Sequence, residues 1–342
     1  MIFIDGAQIF QGGPVIVLDI LIDHLQTINY DFVVLRHKDY IVKNEKNCKE
    51  VISEGFFNRT KEFKKILDNY EIKKIICFCS FPPPFKTNKV VYTYFHNAHL
   101  LKKSNISDFS YFGRLTLKLK RIYLSIKIKN SNFFIVQTRV IKNLLKESYN
   151  IKNQPILIFP FFDEKRIEKI REMNLPKKYN FCYISAAYPH KNHNNLLDAW
   201  LLLNQDGYNP SLVLTVEKKY EHLYQKIIEL NYKGLNIVNL EKTNIETALK
   251  YTAESNFCIF PSLSESYGLG LIEAQKLGLK IISSNLPYVK ENVLPSLTFD
   301  PTSSLDIAIK VKEALNSKTL NNSFPVTENK IFELVNFICN ES

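Results

Sequence analysis

Two carboxylates eight residues apart, Glu265 and Glu273, stand on either side of Gly268, Leu269 and Gly270. Glycines let a ligand approach the main chain closely, and the backbone N–H groups of a helix start favour an anion. A carboxylate accepting from a vicinal diol is a common way to hold a ribose in a nucleotide site. The spacing therefore suits a ligand whose phosphates lie over the helix start while one glutamate binds each end. Lys191 stands just before another predicted helix, where an ammonium would neutralise a diphosphate leaving group. His96 ends a third segment, and ligands of parallel sheets bind just outside strand carboxyl ends.

The elements that must position these residues are punctuated locally. The run Phe257 to Phe260 stops at Pro261, which has no N–H to give to a sheet. Leu269, Ile272 and Leu277 have helical spacing, Gly278 suits the residue after the helix, and Lys280 begins the next strand. Upstream, Phe181 to Ser185 reads as a strand leading through Lys191 into a helix over 194–203. Val90 to Phe95 reads as a strand ending at His96, with His99 as an alternative one turn further on. At the start, strand Met1 to Asp5 is followed by Gly12-Gly13-Pro14, and Pro14 suits the first turn of a helix that runs to Leu25. Strand signals recur at 31–35, 74–78, 133–137, 156–159, 212–216 and 236–240. Strands alternating with helices predict parallel sheets with crossover helices. Pro160 to Asp163 reads as a linker, giving domains over 1–160 and 161–327 and a terminal helix within 328–342, with Ile331, Leu334, Val335 and Ile338 on one face.

Phe-Pro-Ser, Glu265, Gly-Leu and Glu273 together resemble the Glu-x7-Glu motif of retaining GT-B glycosyltransferases of family 4, glycosyltransferase group 1. The continuation through Ser284-Asn285-Leu286-Pro287 and Phe299-Asp300-Pro301 is similar to members that build bacterial surface polysaccharides, O-antigen or capsule. The resemblance implies an α/β GT-B fold, two Rossmann-like domains facing across a cleft, with the C-terminal helix returning to the first domain. It implies transfer of a sugar, a hexose in the expected case, from a nucleotide diphosphate sugar to a glycan or lipid-linked saccharide acceptor. By the same resemblance Glu265 and His96 contact the donor sugar, Glu273 the ribose, and Gly12 and Gly13 approach the donor diphosphate. Lys191 takes the Lys place of the family's Arg-x4-Lys, whereas Ala186 stands where the Arg belongs. His190, His193 or a residue of the first domain are the substitutes open to the sequence. No Asp-x-Asp motif occurs, so neither a metal nor a cofactor is expected beside the donor substrate. The missing Arg keeps a non-catalytic partner subunit open as an alternative, and a nucleotide-sugar epimerase is a second.

At 342 residues the chain accommodates two domains with cores of their own. A formal net charge of +11 calls for an acidic partner, but no aromatic-basic recognition motif supports nucleic acid. Six scattered cysteines indicate neither a disulfide framework nor a zinc site. No apolar stretch is long enough to span a bilayer and the N-terminus reads as a strand, so the expected location is the cytoplasm, peripheral at the inner face of the membrane. The membrane enters through residues 114–129, which contain two apolar stripes on opposite helix faces and no acidic residue. Leu115, Leu119, Ile122 and Ile126 are expected to pack on the first domain. Leu117, Leu124 and Ile128, flanked by Lys120 and Lys127 on one side and Arg114 and Arg121 on the other, are expected to face an anionic membrane surface.

Overall fold

Apolar runs alternating with helical segments build two parallel sheets in the computed structural model, which describes residues 1–10, 12–42, 47–53, 56–104 and 109–340. The chain divides into two compact units: Met1–Asp163 with the C-terminal segment from Glu328, and Glu164–Thr327. Residues 341 and 342 of the expected terminal segment lie outside the described residues.

The first unit contains strands β1 (Ile2–Gly6), β2 (Phe32–His37), β3 (Cys48–Ser53), β4 (Lys74–Cys77), β5 (Val90–Tyr94), β6 (Phe133–Val136) and β7 (Ile156–Ile158). They pair in the order β3-β2-β1-β4-β5-β6-β7, every pairing parallel. Ile2, Phe3 and Ile4 are fully buried, as a parallel strand covered on both faces requires. The helices are α1 (Gly13–Thr27), α2 (Phe56–Asn69), α3 (Tyr111–Lys127) and α4 (Arg139–Tyr149). A Cβ on Gly6 would come within 3.1 Å of Leu18, so the absence of a side chain lets α1 settle on the end of β1. The C-terminal helix, Ile331–Asn340, buries Ile331, Leu334, Val335 and Ile338 in the same core as Leu18 and Leu21. The Lys74 ammonium donates to the carbonyls of Ile338 at 2.6 Å and Cys339 at 3.0 Å, satisfying groups that a helix end leaves unpaired.

Helix α3 presents the reverse of the expected faces. Leu124 and Ile128 are buried and Leu117 is partly buried against the first unit's core. Arg121 donates to the carbonyls of His99 at 2.9 and 3.1 Å and Ser104 at 3.1 Å. Leu117, Arg121, Leu124 and Ile128 therefore belong to the packed side, with Lys120 and Lys127 at its border. The stripe expected to be buried is outside: Leu115, Leu119, Ile122 and Ile126 are exposed, the last by 66%. The physical reason is Arg121. A guanidinium has five donors, and the carbonyls of His99, Lys102 and Ser104 take four of them, holding the stripe beside Arg121 inward.

The second unit contains β8 (Tyr179–Tyr183), β9 (Leu212–Leu214), β10 (Ile237–Asn239), β11 (Ser255–Phe260), β12 (Lys280–Ser284), β13 (Val293–Leu294), β14 (Leu297–Phe299) and β15 (Phe324–Pro325). Its main sheet is parallel in the order β10-β9-β8-β11-β12-β14, while β13 and β15 form an antiparallel pair. The helices are α5 (Glu164–Glu172), α6 (His193–Gln205), α7 (Glu221–Tyr232), α8 (Ile245–Ala253), α9 (Leu269–Lys276), α10 (Pro287–Asn292) and α11 (Ser304–Asn316). In both sheets the first strand is interior and the winding reverses beside it, between β1 and β4 and between β8 and β11. Loops leaving the two strands at such a switch point part in opposite directions and leave a crevice.

Candidate functional site

The loops after β8 and β11 meet at the second unit's switch point. Phe181 and Cys182 lie opposite Phe257 and Cys258, so the two strands deliver their carboxyl ends side by side. From the first loop Lys191 extends its ammonium to 2.6 Å from a carboxylate oxygen of Glu265 on the second. The side chains are only 18% and 9% exposed, so the pair is shielded from water on most sides. Its surroundings are rigid. Leu263 N–H donates to the His190 carbonyl at 2.8 Å, and Asn192 donates to the carbonyls of Pro261 at 3.0 Å and Pro301 at 2.7 Å. The Tyr183 hydroxyl donates to the Lys191 carbonyl at 3.0 Å and shares a 2.8 Å bond with Ser262. Ser284 and Tyr288 both donate to the Ser262 carbonyl, at 2.9 and 2.8 Å.

Pro261, Ser262, Ser284, Pro301 and His190 fall in stretches the sequence marks, but nothing there assigned them these bonds. Asn192 carried one usable signal, since Asn tolerates the left-handed conformation it adopts here at φ 63°. Only the fold shows which groups the others meet.

Beyond Glu265 the loop enters α9 through Gly268, whose φ of +83° is a glycine conformation. Gly268 has no side chain to cap α9, so capping leaves the first N–H groups of the helix clear. Leu269 opens the helix, and a Cβ on Gly270 would stand 3.4 Å from the Phe260 ring and 3.8 Å from the Ile184 carbonyl. Gly270 thus brings the helix start close to both strands at the crevice. Glu273, half-buried one turn further on, lines a cavity of about 30 Å³ with Ile184, Ile245, Leu249 and Phe260. That space is large enough for a water molecule.

His193 does not supply the cation missing at Ala186. It is 2% exposed, packs on the Tyr183 ring at 4.9 Å, and neither ring nitrogen has a hydrogen-bond partner among the described residues. Burial, with Lys191 and His190 adding to it, pushes its pKa down to about 3, so the imidazole is neutral at pH 7. An unfolded histidine titrates near 6.5. Below that pH the unfolded chain binds the extra proton, so this contribution to stability is complete above about 6.5 and declines as pH falls toward about 3. His193→Leu, which forfeits no hydrogen bond, is expected to flatten the dependence of the urea midpoint on pH between about 6.5 and 4. An unchanged slope would remove His193 as its source.

In the first unit, Gly12 and Gly13 follow β1 at the corresponding edge. Gly12 has φ 74° and ψ −159°, a region open essentially to glycine, and a Cβ on Gly13 would meet nothing within 4 Å. Gly13 therefore borders open space. His96 follows β5, and its backbone N–H donates to Ser80 Oγ at 3.1 Å. The same oxygen lies 3.4 Å from His96 Nδ1. The Ser80 hydroxyl has a second lone pair as well as its own proton, so it meets Nδ1 in either tautomer and Nε2 takes the complementary role. Burial lowers the His96 pKa to about 4, so at pH 7 it can donate without carrying charge. His99 lies in the short turn Ala98–Leu100, its ring edge-on to Phe109 at 5.0 Å.

Beneath these loops Arg59 donates to the Asp5 carboxylate at 2.5 and 2.8 Å and to the carbonyls of Phe81 and Pro82, both at 3.1 Å. Both charged side chains are buried, with Asp5 on β1 and the two carbonyls in the loop after β4. The pair thus fixes the first unit's switch-point loops and was not identified from the sequence.

Residues 165–326, within the second unit, match the family model for glycosyl transferases group 1. An O-antigen chain mannosyltransferase of Salmonella typhimurium is 22% identical over 217 residues, spanning 60% of this chain and 59% of the relative. Among solved structures, sucrose-phosphate synthase from Thermosynechococcus elongatus gives a TM-score of 0.75 at 14% identity, covering 98% of this chain and 94% of that one. Anabaena HepE in complex with UDP-glucose gives 0.68 at 14% identity, with the same coverage. The structural likenesses identify the fold as GT-B, with two Rossmann-like α/β units. Among the described residues no helix is long and apolar enough to cross a membrane.

Proposed function

We propose that the protein transfers a hexosyl unit from a nucleotide diphosphate sugar to a glycan or lipid-linked saccharide in bacterial surface-polysaccharide synthesis, with retention at the anomeric carbon. The observation that carries this reading is the Lys191–Glu265 pair, shielded at a topological switch point in the loop that leads into α9. The group 1 match over the same residues supports the reaction class. The bound UDP-glucose of the Anabaena protein supports a nucleotide-sugar donor, and the Salmonella relative supports a polysaccharide acceptor.

In this reaction the bond between the anomeric carbon and the diphosphate breaks, and the diphosphate keeps the electron pair. The acceptor oxygen bonds to that carbon, and its proton passes to the departing diphosphate oxygen. Charge therefore builds on the diphosphate, where preorganised donors lower the barrier most. Lys191 has three N–H donors and uses one on Glu265, so it can hold the carboxylate and a phosphate oxygen together. The start of α9 adds its amides. With this charge met by protein groups, the mechanism calls on no divalent ion or cofactor. Glu265 and neutral His96 are the groups for the sugar hydroxyls, Gly12 and Gly13 for close approach of the donor, and Glu273 for the ribose diol.

Glu273→Gln is expected to weaken binding of the free nucleoside diphosphate and of the intact donor alike, by about 1–3 kcal/mol in calorimetry. Unchanged affinity for the free diphosphate would take Glu273 out of the site. The reaction itself is tested by screening UDP-, GDP- and dTDP-sugars for thermal stabilisation, then measuring nucleotide release with and without saccharide acceptors. Stabilisation by one donor, acceptor-dependent release and an unchanged anomeric configuration in the product are expected. Absence of stabilisation by every donor would overturn the reading, and binding without release would favour a non-catalytic partner subunit.

A further inference from the structure

We propose that α3 docks the first unit on an anionic membrane surface through its outer face: Tyr111, Phe112, Leu115, Leu119, Ile122 and Ile126. All six are exposed, by 46% to 77%. Their spacing puts them within one stripe about 100° wide at 100° per residue, opposite the side on which Leu124 and Ile128 enter the core. An exposed contiguous stripe ending in two aromatic rings has no use in a helix that needs only solubility.

The charges identify the occupant. Arg114 and Lys118 flank the stripe on one side and Lys120 and Lys127 on the other, and the helix contains no Asp or Glu. A second copy of the chain seated on this face would bring like charges together, against a formal net charge of +11 on each molecule. An anionic lipid surface accepts both features. The apolar side chains enter the headgroup boundary, while the lysine and arginine stems lie along it with their charges at the phosphates. The inference is independent of the chemistry at Lys191 and Glu265.

The test is sedimentation of the full chain with phosphatidylcholine vesicles, with and without phosphatidylglycerol, at low and high salt. Binding is expected only with the anionic lipid, and high salt should weaken it. Each cation near an anionic surface is worth about fivefold, so Arg114→Ala with Lys118→Ala should weaken binding roughly 30-fold. Leu119→Ser with Ile122→Ser should weaken it at least about tenfold. These side chains are exposed, so all variants should keep the wild-type thermal unfolding midpoint. The proposal is overturned by an absence of binding at low salt, or by wild-type binding in both variants. It is equally overturned by a wild-type dimer that the Leu119/Ile122 variant abolishes, since the stripe would then belong to a second copy.

Discussion

Lys191→Ala is expected to lower sugar transfer by roughly 10²- to 10³-fold at saturating donor, the range for removing one donor aimed at developing charge. The effect should fall on kcat, because charge on the leaving diphosphate is larger in the transition state than in the bound donor. The ion pair sharpens the expectation. Without Lys191, Glu265 remains as an uncompensated, largely buried carboxylate beside the place proposed for an anionic donor. Lys191→Met with Glu265→Gln removes that repulsion, so the double variant should bind donor more tightly than Lys191→Ala while remaining slow. Full turnover in Lys191→Ala at saturating donor would show that another cation serves the leaving group. With Ala186 in the usual Arg place, that cation would have to come from elsewhere in the molecule.

Arg59→Leu is expected to destabilise the first unit by about 3–5 kcal/mol, the cost of leaving a buried charge without its partner. Asp5 is fully buried and would lose both guanidinium bonds, and the carbonyls of Phe81 and Pro82 would lose theirs. Asp5→Leu with Arg59→Leu removes both charges and should recover much of the loss in chemical unfolding monitored on the first unit's transition. A single-variant cost under about 1 kcal/mol would mean that water reaches Asp5 and that the pair does not fix the loops.

The sequence by itself determined the elements whose signals are local. β11, α9 and β12 could be read because Pro261 ends one strand, Gly268 and Gly278 take positive φ at the two ends of a short helix, and the apolar positions between them recur at helical spacing. The C-terminal helix was equally legible, since the four positions read as its apolar face are the four it buries. β3 was not, because its half-exposed residues include Lys49 and Glu50 and only pairing with β2 makes them a strand.

Tertiary structure decided what depends on groups far apart in the chain. Lys191 and Glu265 were each identifiable, but 74 residues separate them and no periodicity states that they touch. Asp5 and Arg59 lie 54 residues apart, and a single arginine in a polar stretch gives no sign that it will be buried. Helix α3 shows the limit most clearly. Its composition determined that two apolar stripes lie on opposite faces, because spacing sets the angle between side chains. Spacing does not set the rotation of a helix about its axis. That was decided by Arg121 against the carbonyls of His99 and Ser104 and by the core that receives Leu124.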